Sequence, residues 1–226
     1  MTDFSAVPTS RRDGARTRER ILDAAERLFA ERGVAGASLR AITRAAGVNL
    51  AAVHYHFGSK DALVNAVVGR YAGPINERRL ARLDALERRY GRRAVPLRRL
   101  VAAFVEPVLE GAADPVRGRD FTRLMGRLLA EPEYFFGRIA PEQFETVRER
   151  FLAAFRRALP RFSSEEVFWR VMFLVGTLAA ALRMGEFGPQ LSGGRVPPAT
   201  PEQTRRRLLD FLTAGLRAGP AKEVKP

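Results

Sequence analysis

Residues Ser38–Lys60, SLRAITRAAGVNLAAVHYHFGSK, decide how this chain is read. Ser38 stands where a hydroxyl can cap a helix, and Leu39, Ile42 and Ala46 then recur at helical spacing to about Ala46. Gly47, Val48 and Asn49 make a tight turn, and Asn49 is itself a good cap for a second short helix, Leu50 to His56. Ser59 supplies a third cap, for a helix that begins at Lys60. Helices of about eight residues do not persist alone in water, so these two must pack on something larger. Thr17 to Arg32 provides it: Ile21, Ala25, Leu28 and Phe29 form one apolar stripe with Leu22 at its flank, and Gly33 ends it. Leu39, Ile42, Val48, Val53 and Phe57 are the apolar set that locks the short helices onto this first one. Helix, short helix, glycine turn and short helix is the layout of a helix-turn-helix.

What remains for the outer face is Asn49, Leu50, Ala51, Ala52, His54, Tyr55 and His56. Small residues at the helix start let backbone approach a DNA groove closely, while the aromatic and imidazole groups reach outward. Ser38, Arg40, Thr43 and Arg44 are candidates for phosphate contact from the preceding helix. Lys60 joins them, at a helix start where free backbone N–H groups already favour an anion.

Composition agrees and excludes much else. The 226 residues carry 39 Lys and Arg against 25 Asp and Glu, a formal charge of +14, which suits a polyanionic partner. The excess is spread out: residues 1–60 hold a net +4 and the remainder +10. Its densest run, from Arg78 and Arg79 to Arg98 and Arg99, reads as a solvated face with auxiliary phosphate contact as the alternative. With no cysteine, a disulfide framework, a thiolate metal site and a cysteine nucleophile are all excluded. The two histidines, at i and i+2 on a helix, point apart and cannot chelate one ion, so no metal site is expected. No phosphate loop precedes a helix and no catalytic constellation is visible; neither enzyme activity nor a cofactor is expected. Met1 to Ser10 does not read as a signal peptide. The most apolar run, Val171 to Leu182, is far shorter than the roughly 20 residues of a bilayer span, so a cytoplasmic chain without a membrane partner is expected.

The fold class read from this pattern is all-α. Beyond a helix from Lys60, which Pro74 should kink or end, helices are expected at about 96–112, 116–130, 142–158, 164–184 and 201–217. Residues 185–200, rich in Gly and Pro, read as a flexible connection. The expected domains are a helix-turn-helix unit at 11–60 and a dimerisation and ligand unit at 61–217, between disordered tails at 1–10 and 218–226. Phe104, Leu109, Phe121, Leu124, Met125, Leu128, Phe144, Val147, Phe151 and Phe173 could line an apolar pocket between helices, although each could equally be plain core. Arg170 interrupts an apolar helix: it is either a rim residue paired with Glu166 or a buried cation holding the head of a ligand. Because helix 164–184 is apolar nearly all round, covering it calls for a second subunit, with Leu178 placed between subunits.

The stretches ARTRERILDAAERLFAERG and GVNLAAVHYHFGSKDALV resemble the DNA-binding domain of TetR-family transcriptional regulators. The likeness rests on R-x-x-I-L-x-A-A-x-x-L-F in the first helix and G-V-x-x-x-x-V-x-Y-H-F-x-S-K at the recognition helix. It implies that Asn49, Leu50, Ala51, Ala52 and His54 read the major groove, and that Tyr55, His56 and Lys60 serve that end of the helix and its phosphates. Where the family often has polar residues, Leu50 and Ala52 offer only methyl contacts, so hydrogen-bonding readout is thinner here. RLMGRLLAEPE and FWRVMFLVGTLAAAL are similar to the PsrA-like, fatty-acid-responsive subgroup. Together these imply a homodimeric repressor of a double-stranded DNA operator, released by a small apolar effector such as a fatty acid or acyl-CoA. Control by a protein partner and a pocket for flat aromatic drugs stay open as alternatives.

Overall fold

The computed structural model describes residues 11–129, 131–184 and 188–219. Its elements are α1 (Arg11–Gly36), α2 (Leu39–Ala46), α3 (Leu50–Phe57), α4 (Lys60–Tyr90), α5 (Leu97–Ala112) and α6 (Gly118–Leu128). They are followed by α7 (Pro132–Tyr134), a π-helical turn (Phe135–Ile139), α8 (Ala140–Ala158), α9 (Ser164–Met184), α10 (Gly188–Leu191) and α11 (Pro201–Arg217). No strand occurs among the described residues, and none of their helices is long and apolar enough to cross a membrane. The tails at 1–10 and 220–226 lie outside the described residues.

The chain folds as two compact units whose boundaries are not those read from sequence. The first takes the chain up to Arg70 and adds residues 123–143; the second holds residues 71–122 and the chain from Phe144. Long-range bonds enlarge the first unit. Arg127 donates to the carbonyls of Ala30 (2.9 Å) and Glu31 (2.6 Å), where α1 breaks at Gly33 with φ +73°. Those carbonyls would otherwise end a helix unpaired. Asn65 donates to the Arg138 carbonyl, and Gln143 to that of Asn65. Ile21, Phe29, Ile42, Val53, Leu63 and Val67 are buried core of this unit.

In the second unit α11 packs on α5 and α9, with Leu83, Leu100, Phe151, Phe155, Leu174 and Leu209 buried. Pro74 does not end α4, which runs on to Tyr90. Its missing N–H leaves the Arg70 carbonyl without its helical donor, and the unit boundary falls just there. The apolar pattern that resumes at Ile75 and Leu83 is buried and keeps the chain helical. Pro141 follows directly on the π-helical turn, so helical backbone is already in place before the expected start at 142. The 185–200 connection contains α10, which sequence reading did not anticipate.

Candidate nucleic-acid interface

Three side-chain caps set the local geometry of α2, α3 and α4. Ser38 Oγ accepts the Ala41 N–H at 3.1 Å, Asn49 Oδ1 that of Ala52 at 2.8 Å, and Ser59 Oγ that of Ala62 at 3.1 Å. Gly47 closes α2 in the left-handed region at φ +62°, and Val48 N–H bonds back to the Thr43 carbonyl. Arg20, from α1, braces the same turn by donating to the carbonyls of Ala46 (2.6 Å) and Gly47 (2.9 Å). Arg18 lies 5.3 Å from the centre of the Phe57 ring and so holds the far end of α3.

Val53 and Ile42 are buried, which turns Leu50, Ala51, His54 and Tyr55 outward along one face of α3. Tyr55 is 86% exposed and rests edge-on against His56. His54 Nδ1 lies 3.1 Å from the Gly58 carbonyl. Asn49 is exposed, while Ala52, His56 and Lys60 are half-buried. On α2, Arg40 and Arg44 are exposed one turn apart, beside the exposed Ser38. Thr43 corrects the sequence reading: it is buried, and its hydroxyl donates to the Arg40 carbonyl at 3.0 Å, so it offers no phosphate contact. Phe57, expected in the locking core, is only half-buried.

Lys60 has an acidic neighbour that would repel a phosphate. The structure commits that charge elsewhere: Asp61 accepts from the Tyr134 hydroxyl at 2.9 Å and from Arg138. These bonds hold the Asp61 carboxyl below its ordinary pKa, and burial with the Asp61 contact pushes the Tyr134 phenol up. Arg138, Tyr134, Arg20 and Arg18 were all missed from sequence. Their partners lie too far along the chain for any local pattern to show them.

Residues 21–67 match the family described as bacterial regulatory proteins, tetR family, and residues 102–215 match the tetracyclin repressor-like C-terminal domain. The chain belongs to the TetR family. Among curated relatives, the HTH-type transcriptional repressor Rv3405c of Mycobacterium tuberculosis is 48% identical over 67 residues, covering 30% of this chain and 34% of that protein. The HTH-type transcriptional repressor KstR2 of Rhodococcus jostii is 40% identical over 68 residues, 30% of this chain and 32% of the other. The chain thus spans about a third of the length of the curated relatives it matches. A solved structure from Pseudomonas aeruginosa PAO1 superposes with a TM-score of 0.62 at 20% identity, over 92% of this chain and 96% of that one. The TetR-family regulator PfmR of Thermus thermophilus gives 0.51 at 20% identity, over 88% and 97%. Likeness at this identity establishes the TetR fold alone.

The expected effector residues of this TetR-family chain fall in both units. Phe104, Leu109, Phe121, Phe144, Val147 and Phe151 belong to the second unit, whereas Leu124, Met125 and Leu128 belong to the first. Phe104 and Phe151 do meet, edge to face at 5.0 Å. Phe173 is 67% exposed and lines no interior. Arg170 is occupied by the fold: it pairs with Glu166 at 2.7 Å, donates to the carbonyls of Gly215 and Leu216 at the end of α11, and stacks on Phe162. Two cavities, of about 540 and 600 Å³, are lined by other residues, among them Arg18 and Asn65 in the first unit and Val95 and Leu159 in the second. Leu178 is buried within one protomer, so it is core and not the subunit contact expected of it. The exposed apolar side of α9 is instead Phe168, Trp169 and Phe173, with Phe211 exposed on the neighbouring α11. No group of three or more potential metal ligands occurs among the described residues.

Proposed function

We propose that this protein is a DNA-binding transcriptional repressor that acts as a homodimer and is released from its operator by an apolar small molecule. The observation that carries the reading is the outer face of α3. Ala51, His54 and Tyr55 stand exposed there with no core role, flanked by Arg40, Arg44 and Lys60. That is a groove-reading helix with phosphate contacts on both sides. Dimerisation is supported by the aromatic side of α9: Phe168, Trp169 and Phe173 touch one another and are all exposed, which signals a covered surface.

The finer assignment is a fatty acid or acyl-CoA effector bound within the second unit, whose buried cluster of Phe104, Phe151 and Phe155 would leave the hydroxyls of a sugar unpaired. The chain crosses between units after Arg70, Thr122 and Gln143, so rearrangement of the effector unit reaches the DNA-binding unit through covalent links. Coupling of this kind is worth about 1–3 kcal/mol, a 5- to 150-fold change in operator affinity. The test is an electrophoretic shift with DNA selected by the protein, titrated with C8 to C18 acids and thioesters beside flat aromatic compounds. Release by the acyl compounds, stronger with chain length, is expected; release by aromatics alone overturns the acyl assignment.

A further inference from the structure

Arg79 sits in the densest basic run of the sequence, yet it is only 5% exposed. Its Nε donates to the Phe104 carbonyl at 2.8 Å, its Nη1 lies 3.3 Å from Asn76 Oδ1, and its guanidinium stacks 4.0 Å from the centre of the Phe104 ring. No carboxylate pairs with it among the described residues. The contrast with its neighbours is sharp. Arg82, one turn on, has Glu106 and Glu110; Arg150 has Asp84 and Glu87; Arg205 has Glu106 and Glu202. Arg82, Arg150 and Arg205, all partly solvated, hold counter-ions, and Arg79, enclosed in the core, holds none.

An ion removed from water without a counter-charge is costly, and groups in that position are candidates for a ligand. Burial alone pushes the Arg79 pKa down, to about 9, so the group is still a cation at neutral pH. The Phe104 stack and the two acceptors fix the guanidinium plane, leaving Nη2 and the second Nη1 N–H without an acceptor among the described residues. That edge matches a carboxylate, which it can bind through two parallel hydrogen bonds. Beside it stands an apolar cluster: Phe104 against Phe151, and Phe151 against Phe155.

We infer that Arg79 is the anion anchor of the effector unit, and that the effector is an apolar molecule ending in a free carboxylate. The inference rests on the ligand-responsive reading above and narrows it. A thioester carbonyl carries no charge to neutralise Arg79, and the phosphates of a coenzyme A arm are too bulky and hydrated to follow a chain into this core. Arg79 therefore selects the free acid over its ester or thioester, and it takes the part that sequence reading gave to Arg170.

Calorimetric titration of the full-length protein with dodecanoate, methyl dodecanoate and dodecanoyl-CoA tests this. Dodecanoate is expected to bind at least tenfold more tightly than either ester. In Arg79→Met that preference collapses to about onefold, while Arg79→Lys keeps part of it, and operator binding without ligand is unchanged in both. Should Arg79→Met not fold, the wild-type series and Arg79→Lys decide. Equal binding of acid and ester by the wild type, or a preference that survives Arg79→Met, overturns the anchor and leaves the ligand-responsive reading standing. If none of the three binds and none releases DNA, both fall.

Discussion

Substituting Gly47 by alanine isolates the joint on which the helix-turn-helix depends. Two penalties are expected. The backbone lies at φ +62°, where a residue with a Cβ costs about 1–2 kcal/mol. A Cβ built there would also stand 2.7 Å from Arg20 Nη2, so the guanidinium must withdraw from the carbonyls of Ala46 and Gly47. One of those bonds is half-buried and the other exposed. Solvent screening reduces their joint worth to about 1 kcal/mol, below that of buried charged bonds. The sum, about 2–3 kcal/mol, corresponds to backbone amides of α2 and α3 exchanging about 30- to 150-fold faster by native-state hydrogen exchange. In an Arg20→Ala background the same substitution should cost only the backbone part, about 1–2 kcal/mol. Exchange within threefold of wild type would refute the strain argument, and an identical penalty in both backgrounds would refute the role given to Arg20.

Tyr55→Ala should leave thermal stability unchanged and weaken operator binding, because the side chain is 86% exposed; Phe57→Ala should cost about 2 kcal/mol, less than a fully buried phenylalanine, through lost packing and the lost Arg18 stack. Calorimetric melting beside a gel shift checks both. Phe173→Glu should give a folded monomer by sedimentation with operator affinity lost, whereas Leu178→Glu should unfold the protomer, since that side chain is core; a dimeric Phe173→Glu would move the interface elsewhere. Asp61 has a folded pKa below 3.8, so the unfolded chain takes up its proton first as pH falls. Its contribution is complete above the ordinary value and is lost as pH drops through the folded one. The stability difference between wild type and Asp61→Asn should be flat near neutrality and shrink below pH 3.8, by urea unfolding across pH. A constant difference would mean that Tyr134 and Arg138 do not hold the carboxylate. Lys60→Ala should weaken binding to all DNA sequences alike and lower the slope of log affinity against log salt by about one per site.

The sequence by itself determined what is local. Capping needs a side-chain oxygen three residues before an N–H, and a left-handed turn needs a glycine. Ser38, Gly47, Asn49 and Ser59 therefore announced α2, α3 and the start of α4 almost to the residue. Helical periodicity did the same for α5, α8, α9 and α11, though α1 begins six residues before the expected Thr17, and it put Val53 inward and Tyr55 outward. Thr43 shows where it weakens: in eight residues the boundary between buried and exposed faces rests on one neighbour, and the packing of α2 on α1 decided it. Pairings between distant residues were left to the tertiary structure. Asp61 finds Tyr134 and Arg138, Arg127 finds the broken end of α1, and so residues 123–143 join the DNA-binding unit. The two arginines make the point most plainly. Arg170, read as either a rim partner of Glu166 or a buried ligand cation, does pair with Glu166, whereas Arg79 looked solvated because its neighbours are basic. Burial is set by what packs across from a side chain, and α5 brings the Phe104 ring and carbonyl over Arg79 alone of that run's first pair, while Arg78 stays exposed.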